Sequence, residues 1–386
     1  MVRESALASI VDWLVAGAPP PRALESLIEE LATRLRKAEL PIDSVNVNIF
    51  HVHPIFPGTA VVWTSKRGVR RKTYTHEFMA SASYRNTPLF SCINTRRMLR
   101  YRFDSSDPET ESHTRITYLN AGYTDLLILP LFDSDGTVNK AVLFGTKSQG
   151  GFGEDKVVSL RRLQSPLARI VESFSDKMEK AAALSTYIGK NISNKVLKGH
   201  IARGQGEAIP AVLLFVDLVG FTTLSNARRS DEVVKTLNDF YEIVHEAVLA
   251  GNGEILKFIG DGALVIFPVP DDPTAQRSVA QDALISIADA RLACLNRDDG
   301  ESLAFRASLH IGEVFYGNIG SKERLDFTAI GPAVNLASRL LDEASELNVV
   351  TVCSEDFSKL LDPSQATEVK RPLKGFDETL SVFILE

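Results

Sequence analysis

Cysteine is scarce in this sequence of 386 residues. The three cysteines, Cys92, Cys294 and Cys353, are odd in number and lie far apart. They therefore form neither a disulfide framework nor a metal-ligand spacing, and they favour a reducing compartment. We accordingly expect a cytoplasmic protein.

Long apolar runs are also missing. No run reaches the roughly 18 to 20 residues that a membrane-spanning helix needs. The apolar segment "ALASIVDWLVAGA" near the N-terminus is shorter and is interrupted by Asp12, so an amphipathic helix explains it better than a signal peptide. The sequence therefore predicts no membrane partner.

An excess of basic charge is absent as well. The chain has 43 Lys and Arg against 49 Asp and Glu, a net charge of -6. This balance argues against a protein built mainly to bind nucleic acid. The hydrophobic content of 44% and the charged content of 24% are ordinary for soluble globular proteins. The length predicts two or three domains.

Residues 1–155 have the pattern of a mixed α and β domain. Helical spacing of apolar residues predicts helices at about 4–16 and 22–38. The runs "SVNVNIFHV" and "TAVVWTS" predict strands, and the polar stretch "YRFDSSDPETESHTRI" predicts a loop. His51 and His53 share one face of the first strand, where a metal or haem is one interpretation and a structural role the commoner one.

Residues 156–200 have the pattern of a helical linker and adaptor. Five apolar residues follow at alternating spacings of three and four, which is heptad-like: Leu160, Leu163, Leu167, Ile170 and Phe174. Pro166 interrupts this pattern and could mark a kink. The stripe fits packing on its own domain and a parallel helix pair in a dimer about equally well.

Residues 201–386 form the last predicted domain, and from residue 211 on they alternate strand and helix patterns, which predicts an α/β layer fold. Within them "KFIGDGALVIF", residues 257–267, indicates a tight β-hairpin around a Gly-Asp-Gly turn. Asp261 lies at its tip, and Lys257 lies in a strand whose neighbours look buried. A Lys in such a strand calls for a functional explanation.

A second acidic residue, Asp217, ends the apolar strand "AVLLFVD". The turn of Gly220, Phe221 and Thr222 then leads into a helix, and backbone N–H groups in such a turn can cradle a phosphate. If the hairpin lies beside this strand, Asp217 and Asp261 together suit Mg²⁺ or Mn²⁺ bound to phosphate oxygens. An ordinary loop role for both acids remains the alternative at this point.

Asn335 and Arg339 are four residues apart and share one face of a predicted helix. One interpretation is a solvated polar stripe. The other is a guanidinium directed at a phosphate, with the amide positioning a sugar or phosphate oxygen.

Four segments, in order, resemble the catalytic domain of class III nucleotidyl cyclases: "FVDLVGFTTLS", "ILKFIGDGALVIF", "LHIGEVFYGNIGS" and "FTAIGPAVNLASRL". The resemblance covers about 175 to 185 residues. It implies a ferredoxin-like α/β domain that converts ATP to 3′,5′-cyclic AMP and pyrophosphate. The whole chain is then an α+β protein with a helical linker between two α/β domains.

The resemblance also implies roles for single residues. Asp217, Asp261 and the carbonyl of Leu218 match the ligands of two Mg²⁺ or Mn²⁺ ions. Lys257 falls where adenylate cyclases read the adenine ring, and Thr328 falls at the second base-reading position, where a subclass has Thr instead of Asp. Because Lys donates to the acceptor nitrogen of adenine, this pair favours ATP over GTP.

Further roles follow from the same resemblance. Asn335 and Arg339 match the pair that acts on the transition state, while Arg306 and Lys374 match contacts to the triphosphate. Pro332 departs from the family motif without changing its spacing. In this family the aspartates of one subunit face the base-reading and transition-state residues of another, so the resemblance implies a symmetric homodimer.

The N-terminal segment "LILPLFDSDGTVNKAVLFGTKSQGGFGEDKVVSLRRL" resembles a GAF-type sensor domain, and a PAS-type domain is the rival. This resemblance implies an unidentified small-molecule ligand and regulation of the cyclase, and the Thr-type site suggests bicarbonate as an effector. Two alternatives for the catalytic region stay open: a guanylate cyclase, and a module that binds nucleotide without turnover.

Overall fold

The computed structural model describes residues 4–19, 23–51, 56–103, 113–270, 272–297, 300–376 and 378–385. The chain divides into two compact units, Met1–Ala183 and Leu184–Glu386, and each has its own hydrophobic core. His53 lies outside the described residues. Within those residues, no helix is both long enough and apolar enough to cross a bilayer.

The N-terminal unit is built on one antiparallel sheet of six strands, ordered β3-β2-β1-β6-β5-β4. Its strands are β1 (Ser44–Phe50), β2 (Gly58–Thr64), β3 (Gly68–Tyr74), β4 (Leu99–Arg102), β5 (Asp125–Leu131) and β6 (Lys140–Thr146). Its helices are α1 (Glu4–Val15), α2 (Leu24–Lys37), α3 (His76–Ala80), α4 (Ala82–Arg85), α5 (Pro88–Thr95), α6 (His113–Asn120), α7 (Glu154–Arg161) and α8 (Gln164–Ile188), the last of which runs on into the second unit.

Both faces of this sheet are covered. Strands β5 and β6 are buried along their whole length, because one set of their side chains joins the main core and the alternate set joins a second cluster. This explains why "LLILPL" and "AVLF" are continuous apolar runs rather than alternating ones. The turn that joins β5 and β6 contains Gly136 at a φ of +83°, a left-handed conformation that suits glycine.

The loop predicted from "YRFDSSDPETESHTRI" is wrong at both ends. Its first residues belong to β4, a strand too short and too polar to show a periodic apolar pattern. Its last residues begin α6. The middle of the segment, residues 104–112, lies outside the described residues.

The predicted heptad stripe is packed inside the N-terminal unit. Leu160, Leu163, Leu167 and Ile170 are buried in its main core, and Phe174 packs against that core. The helix breaks at 162–163, between α7 and α8. Pro166 lies in the first turn of α8, where its missing N–H leaves no helix bond unmade.

The C-terminal unit is built on a mixed sheet of eight strands. Seven strands follow the order β13-β14-β12-β10-β7-β9-β8, and β11 pairs with β10. The strands are β7 (Gly206–Leu218), β8 (Glu254–Ile259), β9 (Gly262–Pro268), β10 (Phe305–Gly320), β11 (Leu325–Ile330), β12 (Thr351–Ser354), β13 (Ala366–Pro372) and β14 (Thr379–Leu385). The helices are α9 (Lys190–Leu197), α10 (Phe221–Ala227), α11 (Ser230–Ala250), α12 (Pro273–Leu295), α13 (Pro332–Glu346) and α14 (Glu355–Ser358).

Strand β7 shows how this sheet is covered by helices on both faces. Val212, Leu214 and Val216 share a core with α11 and α12. Leu213 and Phe215 share another core with α9 and α13. This burial on both faces explains the unbroken apolar run "AVLLFV", which ends at Asp217, a predicted metal ligand.

The predicted hairpin is confirmed as β8 and β9, which pair antiparallel. The expectation that Lys257 lies among buried neighbours is wrong, because β8 is the edge strand of the sheet and most of its residues are half-buried or exposed. An edge strand with a charged residue is physically ordinary. The position of Lys257 therefore has to be explained by what it contacts.

Helix α9, in the predicted adaptor, is tied to the sheet of the C-terminal unit by Lys195. Its ammonium lies 2.9 Å from a carboxylate oxygen of Glu207. It also lies 4.6 Å from the ring centre of Tyr316 and 5.6 Å from that of Phe327, at cation–π distance. These contacts link α9 to strands β7, β10 and β11.

Candidate active site

Asp217 and Asp261 meet at one end of the sheet. Asp217 is the penultimate residue of β7, and its ladder partner is Gly262, which directly follows Asp261. The N–H of Leu218 donates to the carbonyl of Asp261 over 3.3 Å. The end of β7 and the tip of the hairpin are therefore joined by the backbone, and both side chains are half-buried.

Two glycines permit this approach. Gly260 has a φ of +62°, which lets the chain reverse in two residues. A Cβ on Gly262 would lie 2.4 Å from the carbonyl oxygen of Val216 and 3.1 Å from Oδ1 of Asp217. The Gly-Asp-Gly sequence therefore serves the close packing of the hairpin tip against β7.

The electrostatics of this pair favour a cation. Burial, and next the charge of Asp261, raise the pKa of Asp217 to about 6, although Arg306 acts in the opposite direction. Burial, and next Asp261 and Asp217, also raise the pKa of Tyr241, whose hydroxyl donates to the carbonyl of Gly260. A divalent ion between the two carboxylates would offset their repulsion and their loss of water.

The carboxylates of Asp217 and Asp261 suit a metal ion whose other ligands are water and phosphate oxygens. Among the described residues, no three His, Cys, Asp or Glu side chains cluster as a complete metal cage. Two carboxylates that leave the remaining positions to water and phosphate are the arrangement Mg²⁺ commonly takes. Asp217 and Asp261 thus fit this class of ion without a third carboxylate.

The predicted phosphate cradle comes directly after the end of β7 in the chain. Gly220 precedes α10 in a left-handed conformation with a φ of +78°, and Phe221 and Thr222 form the first turn of that helix. Since Leu218 ends β7, two residues separate the strand from the helix. The first N–H groups of α10 are therefore close in sequence to Asp217.

Arg306 lies next to the acidic pair, and Lys374 does not contact it. Arg306 is the ladder partner of Asp217 on β10, and its guanidinium donates to Asn348 over 3.2 Å. Lys374 lies in an exposed turn after β13. Of the contacts that the structure gives for the described residues, none joins Lys374 to Asp217 or Asp261.

The pair that was predicted to read the base lies at a separate point, where β8 approaches β11. Nζ of Lys257 is 2.5 Å from Oδ2 of Asp326. Thr328 is two residues beyond Asp326 and so points to the same side of β11. Thr328 is 5% exposed, and its hydroxyl oxygen is buried without a hydrogen-bond partner in the described part of the chain.

Asp326 is the residue that our reading of the sequence missed. The sequence indicates only that Asp326 shares a side of its strand with Thr328, because a strand places residues i and i+2 on one side. The ion pair with Lys257 spans 69 positions of sequence, and no local pattern predicts such a contact.

Asn335 and Arg339 lie on the outer side of α13. The inner side of this helix is buried through Ala333, Ala337 and Leu340. Asn335 is exposed, and Nη1 of Arg339 donates to Asp342 over 3.0 Å. Among the described contacts of this chain, none brings Arg339 to Asp217 or Asp261.

Comparison with known proteins finds a family match in the C-terminal unit. Residues 207–385 match the model of the adenylate and guanylate cyclase catalytic domain family. Adenylate cyclase 1 of Rhizobium meliloti is 31% identical over 159 residues, which are 40% of this chain and 24% of that protein. An uncharacterized protein of Mycobacterium tuberculosis is 31% identical over 240 residues, 61% of this chain and 42% of that protein. The chain thus spans less than half the length of these relatives.

Solved structures of cyclases are similar to about half of this chain. The adenylyl cyclase CyaB from P. aeruginosa has 24% identity and a TM-score of 0.40, covering 47% of this chain and 95% of that one. The guanylyl cyclase Cya2 has 25% identity and a TM-score of 0.40, covering 47% of this chain and 93% of that one. The comparisons together lead to one conclusion: residues 207–385 are similar to the adenylate and guanylate cyclase catalytic domain family.

Proposed function

We propose that this chain is an adenylate cyclase that converts ATP into 3′,5′-cyclic AMP and pyrophosphate. The observation that carries this function is the convergence of Asp217 and Asp261, which the ladder between β7 and β9 holds together within the matched catalytic domain. A pair of neighbouring acids in which the charge of Asp261 raises the pKa of Asp217 is suited to a divalent cation and a polyphosphate.

Asp217, Asp261 and the carbonyl of Leu218 would hold two Mg²⁺ or Mn²⁺ ions. When bound, such ions lower the pKa of a substrate hydroxyl and stabilise negative charge on a leaving phosphate. The N–H groups of Gly220, Phe221 and Thr222 would bind phosphate oxygens at the start of α10.

The remaining residues bind and orient the substrate. Arg306 and Lys374 would contact the triphosphate, and Asn335 would orient the ribose. The guanidinium of Arg339 would neutralise charge that develops at the α-phosphoryl group. The ribose 3′-oxygen then attacks the α-phosphorus in line, and pyrophosphate leaves.

Selection of the base rests on Lys257 and Thr328. The Lys257 ammonium donates to an acceptor nitrogen of adenine, and the buried hydroxyl of Thr328 is available for a further hydrogen bond with the base. Guanine presents a donor at the position where adenine presents an acceptor, so Lys257 opposes GTP. A guanylate cyclase is therefore the second candidate.

One assay tests the reaction and the base together. The purified chain is incubated with ATP or GTP in EDTA, Mg²⁺ or Mn²⁺, and cyclic nucleotides are separated by chromatography. We expect cyclic AMP only when metal is present, and little cyclic GMP. Mainly cyclic GMP would establish the guanylate cyclase, and metal-dependent ATP binding without product would establish a module that binds nucleotide without turnover.

The active site is proposed to form between two copies of the chain. In support, the contacts of the described residues hold Arg339 and the acidic pair in place separately, and none of these contacts joins them. Mixing Asp217→Ala chains with Arg339→Ala chains should restore up to one intact site per mixed dimer. A mixture no more active than either variant alone would contradict the shared site.

Residues 1–155 are proposed to be a GAF-like regulatory domain for a small molecule, and residues 156–200 its linker to the catalytic domain at 201–386. We propose a cytoplasmic location and bicarbonate as an effector of the Thr-type site. Titration of bicarbonate at constant pH against initial rate tests this effector, with chloride as the control. Equal rates with both salts would contradict it.

A further inference from the structure

The sheet of the N-terminal unit carries a cavity of about 150 Å³ on the face opposite the main core. Strand β1 shows why its two faces differ. Val45, Val47 and Ile49 belong to the main core, whereas Asn46, Asn48 and Phe50 line the cavity. The alternation of "VNVNIF" therefore places two amides in the floor of a central strand.

If this part of the cavity served packing alone, we would expect its floor to be apolar throughout. It is apolar at Leu126 and Leu143, but it is polar at the two amides. Asn48 is 1% exposed, and its amide nitrogen donates to Oδ1 of Asn46 over 3.1 Å. A buried amide costs free energy unless its groups are hydrogen-bonded. In the described residues this bond uses one donor of Asn48, which leaves its carbonyl and the Asn46 amide nitrogen for another molecule.

The walls of the cavity are aromatic. Tyr74 and Phe78 stack at 5.0 Å between ring centres, and Phe78 lies 5.9 Å from Tyr84. Phe50 meets Tyr84 edge-on at 5.7 Å, and Tyr118 of α6 lines the same space. Rings at such distances offer both faces and edges to a further ring.

The cavity is also electrically neutral. None of the described residues that line it carries a charge. Burial, and next the proximity of Tyr74, raise the pKa of Tyr84 to about 12, and burial raises the pKa of Tyr74 and of Tyr118. All three phenols therefore stay protonated at neutral pH and can donate hydrogen bonds. An ion would be buried here without an opposite charge, which is costly.

We propose that this cavity binds an uncharged, single-ring aromatic or heteroaromatic molecule with a hydrogen-bonding group such as a carboxamide. A cavity of about 150 Å³ in another protein accepts one benzene, and sites for drug-sized ligands start at roughly 300 Å³. One ring therefore fits among the aromatic walls and two do not. The polar group would meet Asn46 and Asn48 at the floor.

Calorimetric titration of the full chain with three probes tests the chemical class, and it needs no cyclase activity. Benzamide has the neutral ring and the amide, benzoate replaces the amide with a charge, and tetramethylammonium is a cation without a ring. We expect benzamide to bind and benzoate to bind at least about tenfold more weakly. Absence of benzamide binding at millimolar concentration, or tighter binding of either ion, would overturn the assignment.

Variants then locate the site. Asn48→Leu removes the floor amide at similar volume, and we expect it to weaken benzamide binding about tenfold or more. Asn94→Leu is the matched control, because Asn94 is exposed on α5 and does not line the cavity. Tyr84→Phe keeps the ring, removes one donor, and decides the question if Asn48→Leu fails to fold. Unchanged affinity in a folded Asn48→Leu protein, or in Tyr84→Phe when Asn48→Leu does not fold, would contradict this location.

Discussion

The ammonium of Lys257 and the carboxylate of Asp326 lie 2.5 Å apart and join β8 to β11. Lys257 can read a base only if its flexible side chain is held where the base arrives. Asp326 holds the ammonium of Lys257 against β11, the strand that also carries Thr328. In the proposed site the carboxylate therefore acts as a residue that positions Lys257.

Removal of this carboxylate should reduce selectivity for ATP. We expect Asp326→Asn to raise the KM for ATP and to lower the ratio of ATP to GTP turnover by a few-fold. The effect is modest because a half-exposed ion pair contributes about 1 kcal/mol or less. Steady-state kinetics with both nucleotides measure it, with Glu323→Gln in the exposed turn before β11 as the control. An unchanged ratio would show that Lys257 is positioned without Asp326.

Neutralising Asp217 should stabilise the metal-free fold. Its pKa is raised to about 6 from an ordinary 3.8, so ionisation of Asp217 costs folding free energy. We expect Asp217→Asn to raise the Tm in EDTA at pH 7.5 and to abolish the further rise that Mn²⁺ produces in the unmodified protein. The control is Asp289→Asn, an exposed change on α12. It should neither raise the Tm in EDTA nor abolish the rise caused by Mn²⁺. A lower Tm for Asp217→Asn in EDTA would contradict the repulsion between the two acids.

The same shift predicts a dependence on pH. Because the pKa of Asp217 in the fold exceeds its unfolded value, the metal-free protein should lose stability as pH rises from about 4 to about 6. Metal binding needs the ionised form, so the increase in Tm caused by Mn²⁺ should be larger at pH 7.5 than at pH 5.5. Thermal unfolding with and without Mn²⁺ at both values checks this. Equal increases would mean that Asp217 does not titrate in this range.

The glycine after the hairpin tip should resist substitution. A Cβ at position 262 would meet the backbone oxygen of Val216 at 2.4 Å, and a backbone atom cannot rotate away. We expect Gly262→Ala to cost about 1–3 kcal/mol of unfolding free energy and to weaken Mn²⁺ binding, since the strands must separate. In the control Gly153→Ala the new methyl group meets only the end of the Asp155 side chain. Chemical denaturation measures both proteins, and equal losses would contradict the close packing.

The hairpin could be predicted from sequence because its signals are local. "KFIGDGALVIF" combines two apolar runs with a Gly-Asp-Gly turn, and the structure has β8 and β9 there. Helix α2 was predictable for the same reason, since its apolar residues recur at helical spacing and all of them are buried.

The environment of Lys257 was not predictable in this way. Whether β8 is central or at the edge depends on strand order, which the pairing of distant segments decides. The contact of Lys257 with Asp326 depends on the same pairing. Strand β13 was not predictable either, because its sequence is mostly polar and half-exposed and shows no alternation of apolar and polar residues.

The contact of Lys195 with Phe327 has a mechanical consequence. Phe327 separates Asp326 from Thr328 in the chain, so its ring projects from the other side of β11, towards the adaptor. A shift of α9 would move β11 through this ring and so displace Asp326 and Thr328. If the proposed regulation acts through α9, it would then alter which nucleotide is accepted as well as how fast it is cyclised.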